Sequence, residues 1–253
     1  LDSDGDGLSD YDELNIHNTD PIVADKDEDN LNDGQEINIY GTNPMVADSD
    51  EDGLNDGHEV NILKTNPIKP DTNGDGTIDG DEDTDNDALS DSDELNIYGT
   101  DPISVDTDKD GLDDGNELKY QTNPLNSDSN GNGISDGEED FDLDGLSNES
   151  EISTYGTNPR LDDTDGDKLR DGFEVNTSNT NPLSDDSDGD GLNDGDEVRV
   201  LETHPSIADS DGNGINDGDE DSDSDGLTDS DEINIYKTKP RDSDSDKDRL
   251  ADG

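Results

Sequence analysis

The sequence predicts a tandem-repeat rod or solenoid: mostly loops and turns with short one- to two-turn helices, no sheet and no conventional core. Three observations predict it. First, only 22% of the 253 residues are hydrophobic and 3% aromatic, and 76 acidic residues against 14 basic ones leave a net charge of −62. Ordinary domains are about 45–50% apolar, so a core of normal size cannot be filled, and composition alone would leave the chain disordered. Second, a twelve-residue acidic pattern recurs in phase from end to end. Third, most copies are joined by an equally regular linker. Together these make one continuous array over residues 1–253.

The charge excludes several functions. Nucleic-acid binding needs a basic surface, and an anionic membrane surface would repel this chain. No stretch approaches the ~18 apolar residues of a membrane span. Without cysteine no disulfide can replace the missing core.

The acidic pattern reads D-x-[DN]-x-[DN]-G-[LIT]-x-[DN]-x-x-E. Complete copies occupy 2–13, 25–36, 48–59, 71–82, 83–94, 106–117, 128–139, 140–151, 163–174, 186–197, 209–220 and 221–232. A thirteenth, 244–253, is truncated. Starts lie 22 or 23 residues apart except for three intervals of 12. The series repeats after 138 residues, as 2–139 and 140–253. The chain starts at a loop without Met and ends inside one, and so reads as a segment of a longer protein.

The linker runs as in Ile37–Pro44 (INIYGTNP) and Leu95–Pro102 (LNIYGTDP), and closes on Thr-x-Pro every time. It predicts a short helix from about loop position 9, with an apolar pair such as Ile37 and Tyr40. Gly41, Gly99 and Gly156 stand where a left-handed residue would end it. The residue before each Pro is held extended. Tyr40, Tyr98, Tyr155 and Tyr236 are expected in small satellite cores, and His17, His58 and His204 at the surface.

The phase of the carboxylates points to calcium. A twelve-residue calcium loop draws oxygens from positions 1, 3, 5, 7 (a backbone carbonyl), 9 and a bidentate Glu at 12, with Gly at 6 for the turn. With position 7 acting through its carbonyl, loop 2–13 offers Asp2, Asp4, Asp6, Leu8, Asp10 and Glu13. Loop 25–36 offers Asp25, Asp27, Asp29, Leu31, Asp33 and Glu36; loop 48–59 offers Asp48, Asp50, Asp52, Leu54, Asp56 and Glu59. Next come Asp71, Asn73, Asp75, Thr77, Asp79 and Glu82, then Asp83, Asp85, Asp87, Leu89, Asp91 and Glu94. Loop 106–117 has Asp106, Asp108, Asp110, Leu112, Asp114 and Glu117; loop 128–139 has Asp128, Asn130, Asn132, Ile134, Asp136 and Glu139. Asp140, Asp142, Asp144, Leu146, Asn148 and Glu151 follow, then Asp163, Asp165, Asp167, Leu169, Asp171 and Glu174. Loop 186–197 has Asp186, Asp188, Asp190, Leu192, Asp194 and Glu197; loop 209–220 has Asp209, Asp211, Asn213, Ile215, Asp217 and Glu220. The last sets are Asp221, Asp223, Asp225, Leu227, Asp229 and Glu232, and the truncated Asp244, Asp246, Asp248, Leu250 and Asp252. The expectation is one Ca²⁺ per loop, 12–13 per chain. Soft ligands are missing, which argues against zinc and copper, and a bidentate Glu favours calcium over magnesium.

These loops differ from an EF-hand. The apolar residue sits at position 7, and no amphipathic helix precedes the loop. DSDGDGLSDYDE and DSDGDGLNDGDE, joined by YGTNP-type linkers, resemble thrombospondin type 3 repeats in a cysteine-free microbial form. The resemblance covers essentially the whole chain. It implies calcium-wrapped repeats with little regular structure, usually in secreted or surface proteins. DTNGDGTIDGDE at Asp71 also resembles a dockerin loop.

Two departures carry expectations. Position 6 is not Gly at Asn30, Ala88, Lys168 and Arg249, where weaker sites or a different backbone are expected. The first loop of each abutting pair carries Asn73, Asn130 with Asn132, or Asn213, read as neutral oxygen ligands that either limit carboxylate crowding where two ions lie closest or allow a carboxylate to bridge them. Asn148 and Asn176 begin glycosylation sequons, though Asn148 is also a loop ligand.

No catalytic grouping is present, so an enzyme is not expected. The first functional reading is an extended, stiff spacer or stalk of a secreted or cell-surface protein. The second is a self-assembling extracellular fibre or matrix subunit. The third is a calcium-dependent adhesin or dockerin-like anchoring module. Calcium is the expected partner, with self-association possible and no nucleic acid or membrane insertion.

Overall fold

The computed structural model describes residues 1–253, which form two compact units, Leu1–Asp136 and Gly137–Gly253. Both contain short helices and loops and no strand. Each helix starts where expected, at loop position 9. In eight of them a side chain at position 8 caps the start, while Ile78, Arg170 and Asn216 make no such bond. Ser9, Asn32, Asn55, Ser90, Asp113, Ser147, Asn193 and Thr228 have extended backbones, and their side chains accept the N–H of position 11. One helical turn thereby gains a partner for an orphan donor.

After one α turn, most repeats widen into a π turn, as at Glu36–Tyr40, Glu59–Leu63 and Glu151–Tyr155. There the N–H of Gly41, Lys64 or Gly156 reaches back five residues to the position-12 carbonyl, at 2.6–2.7 Å. The helix Asp114–Tyr120 is α throughout, and Gln121 N–H reaches back only four residues, to Glu117. Its linker is one residue shorter, which accounts for the 22-residue interval. The π turn is thus a one-residue insertion absorbed in place. Gly41, Gly99 and Gly156 end their helices at φ 80°, 78° and 74°, as the sequence predicts.

In seven of the loops the core is a single buried leucine at position 7, from Leu8 to Leu192. Leu31, Leu54, Leu112, Leu169 and Leu192 at position 7 are at most 2% exposed, and only nine hydrophobic residues in the chain are buried. The tyrosines expected in small satellite cores are covered to different degrees. Tyr40, Tyr98 and Tyr155 are half-buried and Tyr236 is exposed. Otherwise the interior is carboxylate: the position-12 glutamates from Glu13 to Glu232 that start a helix turn are fully buried.

Successive repeats meet through glycine at position 10. Gly34 N–H donates to Asp6 Oδ2 (3.0 Å), Gly57 to Asp29 (3.2 Å), Gly195 to Asp167 (2.8 Å) and Gly218 to Asp190 (2.9 Å). A Cβ at any of these would run into the preceding loop's position-5 carbonyl.

Candidate metal centres

Within a loop, the position-1 aspartate shapes the turn. Asp48 Oδ1 accepts Glu51 N–H at 2.7 Å and Oδ2 accepts Gly53 N–H at 3.1 Å. Position 5 keeps one oxygen for the turn; the other accepts the next repeat's glycine N–H, as in Asp29, or stays free, as in Asp52. Asp52 Oδ1 accepts Leu54 N–H at 2.9 Å, while its buried Oδ2 has no partner. Position 3 behaves alike: Asp85, Asp142 and Asp188 accept a backbone N–H on Oδ1 and leave Oδ2 buried and unpartnered.

The position-12 glutamate is anchored by the threonine of Thr-x-Pro. Thr42, Thr65, Thr100, Thr157, Thr180, Thr203 and Thr238 hydroxyls donate to Oε1 of Glu36, Glu59, Glu94, Glu151, Glu174, Glu197 and Glu232 at 3.0–3.2 Å. The other oxygen of each of these glutamates is buried with no partner. The sequence marked this threonine only as part of a turn.

The position-9 carboxylate stands at the join between repeats. Asp79 Oδ1 accepts Thr72 N–H of its own loop at 2.9 Å. Yet Asp79 also gathers with Asp52 and Glu59 of the preceding loop, their oxygens within 4.8 Å of one another. Asp56 stands likewise beside Asp29 and Glu36. A cation there would take positions 5 and 12 from one repeat and position 9 from the next. By sequence, position 9 groups with its own loop; the structure places Asp56 and Asp79 where they also meet positions 5 and 12 of the preceding one, which a linear pattern does not show.

Crowding is visible in the acidities. Burial first, then the charges of Asp50 and Asp52, pushes Glu59 up to about 9. Burial and neighbouring aspartates likewise push Glu36, Glu117, Glu151 and Glu197 up to about 8. Buried carboxylate oxygens without donors are costly. An oxygen-seeking divalent cation satisfies them at once, so these residues fit calcium.

The position-6 exceptions keep the ordinary backbone. Asn30, Ala88, Lys168 and Arg249 have φ of 72°, 78°, 85° and 79°, and their N–H groups still donate to position 1 at 2.9–3.0 Å. Lys168 also reaches Asp196 at 2.6 Å. Asn148 is fully buried, which leaves no room for a glycan.

Loops 71–82 and 209–220 are built differently. Each forms only a 3₁₀ turn, and Glu82 and Glu220 are extended at ψ 157° and 160° instead of helical. Asn73 and Asn213 turn their amide nitrogens, not oxygens, to these glutamates at 2.6 Å. The expectation that these asparagines offer oxygen there differs from the structure. Their oxygens are held by the N–H of Asp75 and Ile215, both at 2.8 Å.

The bacterial TSP3 repeat family matches residues 2–24, 25–47, 48–70, 83–104, 106–127, 140–159, 163–184, 186–203 and 221–240. The chain belongs to this family. Its repeats are structural calcium-binding repeats, not enzymes. Among solved structures, the B domain of a biofilm associated protein is 44% identical over 18% of this chain and 11% of that one, with a TM-score of 0.18. A biofilm associated protein BSP domain is 46% identical over 17% of this chain and 7% of that one, with a TM-score of 0.17. The chain therefore spans a small fraction of these proteins' length. A comparison with curated proteins finds no match. No helix is long and apolar enough to cross a membrane.

Proposed function

We propose that the chain is a calcium-stabilised structural segment, a spacer or stalk, of a secreted or cell-surface protein. The observation that carries this is the row of buried, donor-less carboxylate oxygens, such as those of Asp52, Glu59 and Asp79, converging in groups. Such groups are unstable without a cation and stable with one. A site with a dissociation constant of about 10 μM at about 1 mM calcium gains about 2.7 kcal/mol. Summed over many repeats, this supplies what the sparse leucines cannot. Millimolar calcium is found outside cells, and that sets the compartment. Small-angle scattering with circular dichroism over a calcium titration tests the reading. Compaction and helix gain are expected; an unchanged radius between chelator and millimolar calcium would refute it.

A self-assembling fibre is the second reading. Ile16, Ile39, Ile97 and Ile235, all at one repeat position, are 60–66% exposed. Sedimentation in calcium separates the two readings: a concentration-independent monomer supports the spacer and removes the fibre.

A further inference from the structure

We infer that the loops opening the 12-residue intervals, 71–82, 128–139 and 209–220, are caps that complete the preceding site and hold no calcium of their own. This rests on the calcium reading above. In the metal-binding loops the position-5 residue is a carboxylate: one oxygen accepts the position-7 N–H, and the other is unpartnered, as in Asp52, or meets the next repeat's glycine N–H, as in Asp29. At position 5, Asn213 makes the same backbone bond with its only oxygen, and Asn132 does so too, accepting Ile134 N–H at 2.8 Å. In loop 209–220 the Asn213 amide nitrogen, a donor that cannot ligate a cation, then turns to Glu220 Oε1 at 2.6 Å. Rotating the amide would set N–H against N–H. In loop 71–82 the substitution is at position 3, and Asn73 Nδ2 donates to Glu82 where a cation would stand.

Two further observations divide the loops in the same way. Positions 3, 5 and 7 are exposed in all three loops, whereas position 5 and the leucine are buried in loops such as 25–36 and 48–59. And Glu82 and Glu220 leave the helical conformation in which Glu36, Glu59, Glu94, Glu174 and Glu197 are fully buried, and Glu139 likewise lies outside any helix and is only half-buried. Their later halves remain in use: Asp79 joins Asp52 and Glu59, and Gly218 N–H donates to Asp190. The amide thus replaces the cation in the half of the loop that has no following repeat to cap it.

Native mass spectrometry of the full chain, titrated with calcium alone, tests this. Nine tightly bound ions are expected, from the nine remaining complete loops. Glu82→Gln and Glu220→Gln are each expected to leave the count unchanged, while Glu59→Gln and Glu197→Gln each lower it by one. Twelve ions, or the loss of an ion in Glu82→Gln or Glu220→Gln, would overturn the inference and leave the calcium reading intact. No calcium bound at all would instead overturn the calcium reading.

Discussion

Replacing Gly57 with alanine tests whether the repeats are interlocked. The new Cβ would stand 2.9 Å from the Asp29 carbonyl carbon and 3.1 Å from the Asn30 carbonyl carbon, with the Asp29 oxygen nearer still. All of these are rigid backbone of the preceding loop. Relief requires the two repeats to separate, which stretches the 3.2 Å bond from Gly57 N–H to Asp29 Oδ2 and withdraws Asp56 from Asp29 and Glu36. Overpacking costs about 1–3 kcal/mol and a lost bond to a charged group about 1.5–3. Alanine's better helix propensity returns up to about 1. The net loss should be about 2–4 kcal/mol, read as a lower melting temperature in saturating calcium and a higher calcium midpoint. Ser92→Ala is the control, since Ser92 at the same loop position already accommodates a side chain. It should change stability by less than about 0.5 kcal/mol. If Gly57→Ala melts within that margin too, the repeats are not held by this approach.

Thr100→Val removes the hydroxyl on Glu94 Oε1 (3.1 Å); it should cost about 1.5–3 kcal/mol and weaken one calcium site about tenfold by isothermal titration. Gly53→Ala adds a Cβ at φ +99° with only ordinary contact to Ser92; about 1–2 kcal/mol of strain is expected, less than at Gly57, by thermal melts. Acidity gives a third test. Without metal, burial raises the glutamates to about 8 or 9, so the folded form binds more protons than the unfolded one. Any residual metal-free structure should be most stable below the ordinary glutamate value and be lost as pH rises through about 8 to 9. Circular dichroism in chelator should show helix fading in that direction, and calcium added near pH 7 should release protons into weak buffer.

The periodicity of the carboxylates and the linkers was enough to read the repeat, the helix start and the left-handed helix ends at Gly41 and Gly99. These are local features, set by residues within a few positions of each other. What the sequence did not reveal is non-local. Gly57 looks like an unremarkable helix glycine until Asp29, 28 residues earlier, is seen beneath it. A signal did exist: position 10 is Gly at Gly34, Gly57, Gly80, Gly115, Gly172, Gly195 and Gly218, but Ser92, Glu149 and Ser230 after a 12-residue interval. Asn73 and Asn213 were legible as departures but not in sense, because an amide's direction is decided by the backbone N–H that claims its oxygen.

The 12-residue intervals can be accommodated because caps and sites are separable functions of one loop. Asp79 and Gly80 of loop 71–82 serve the site of loop 48–59, and the chain then passes straight into loop 83–94. That loop touches both its sequence neighbour, where Asp91 N–H donates to Glu82 O at 2.8 Å, and the loop before that one. Asn96 Nδ2 donates to Gly53 O at 3.0 Å, 43 residues back, and Asn234 repeats the bond to Gly191 at 2.9 Å. Ser92 lies against Gly53 and Gly80 and not on a position-5 carbonyl. It therefore needs no glycine. Dependence between sites consequently runs one way within each unit: a repeat supplies the position-9 carboxylate to the site before it. Damage to one repeat should weaken the preceding site more than the following one. For a chain of charge −62, carboxylate groups within one loop, such as Asp48, Asp50 and Asp52, stand beside groups shared with the next, such as Asp52, Glu59 and Asp79, and this ties the order of each loop to that of its neighbour.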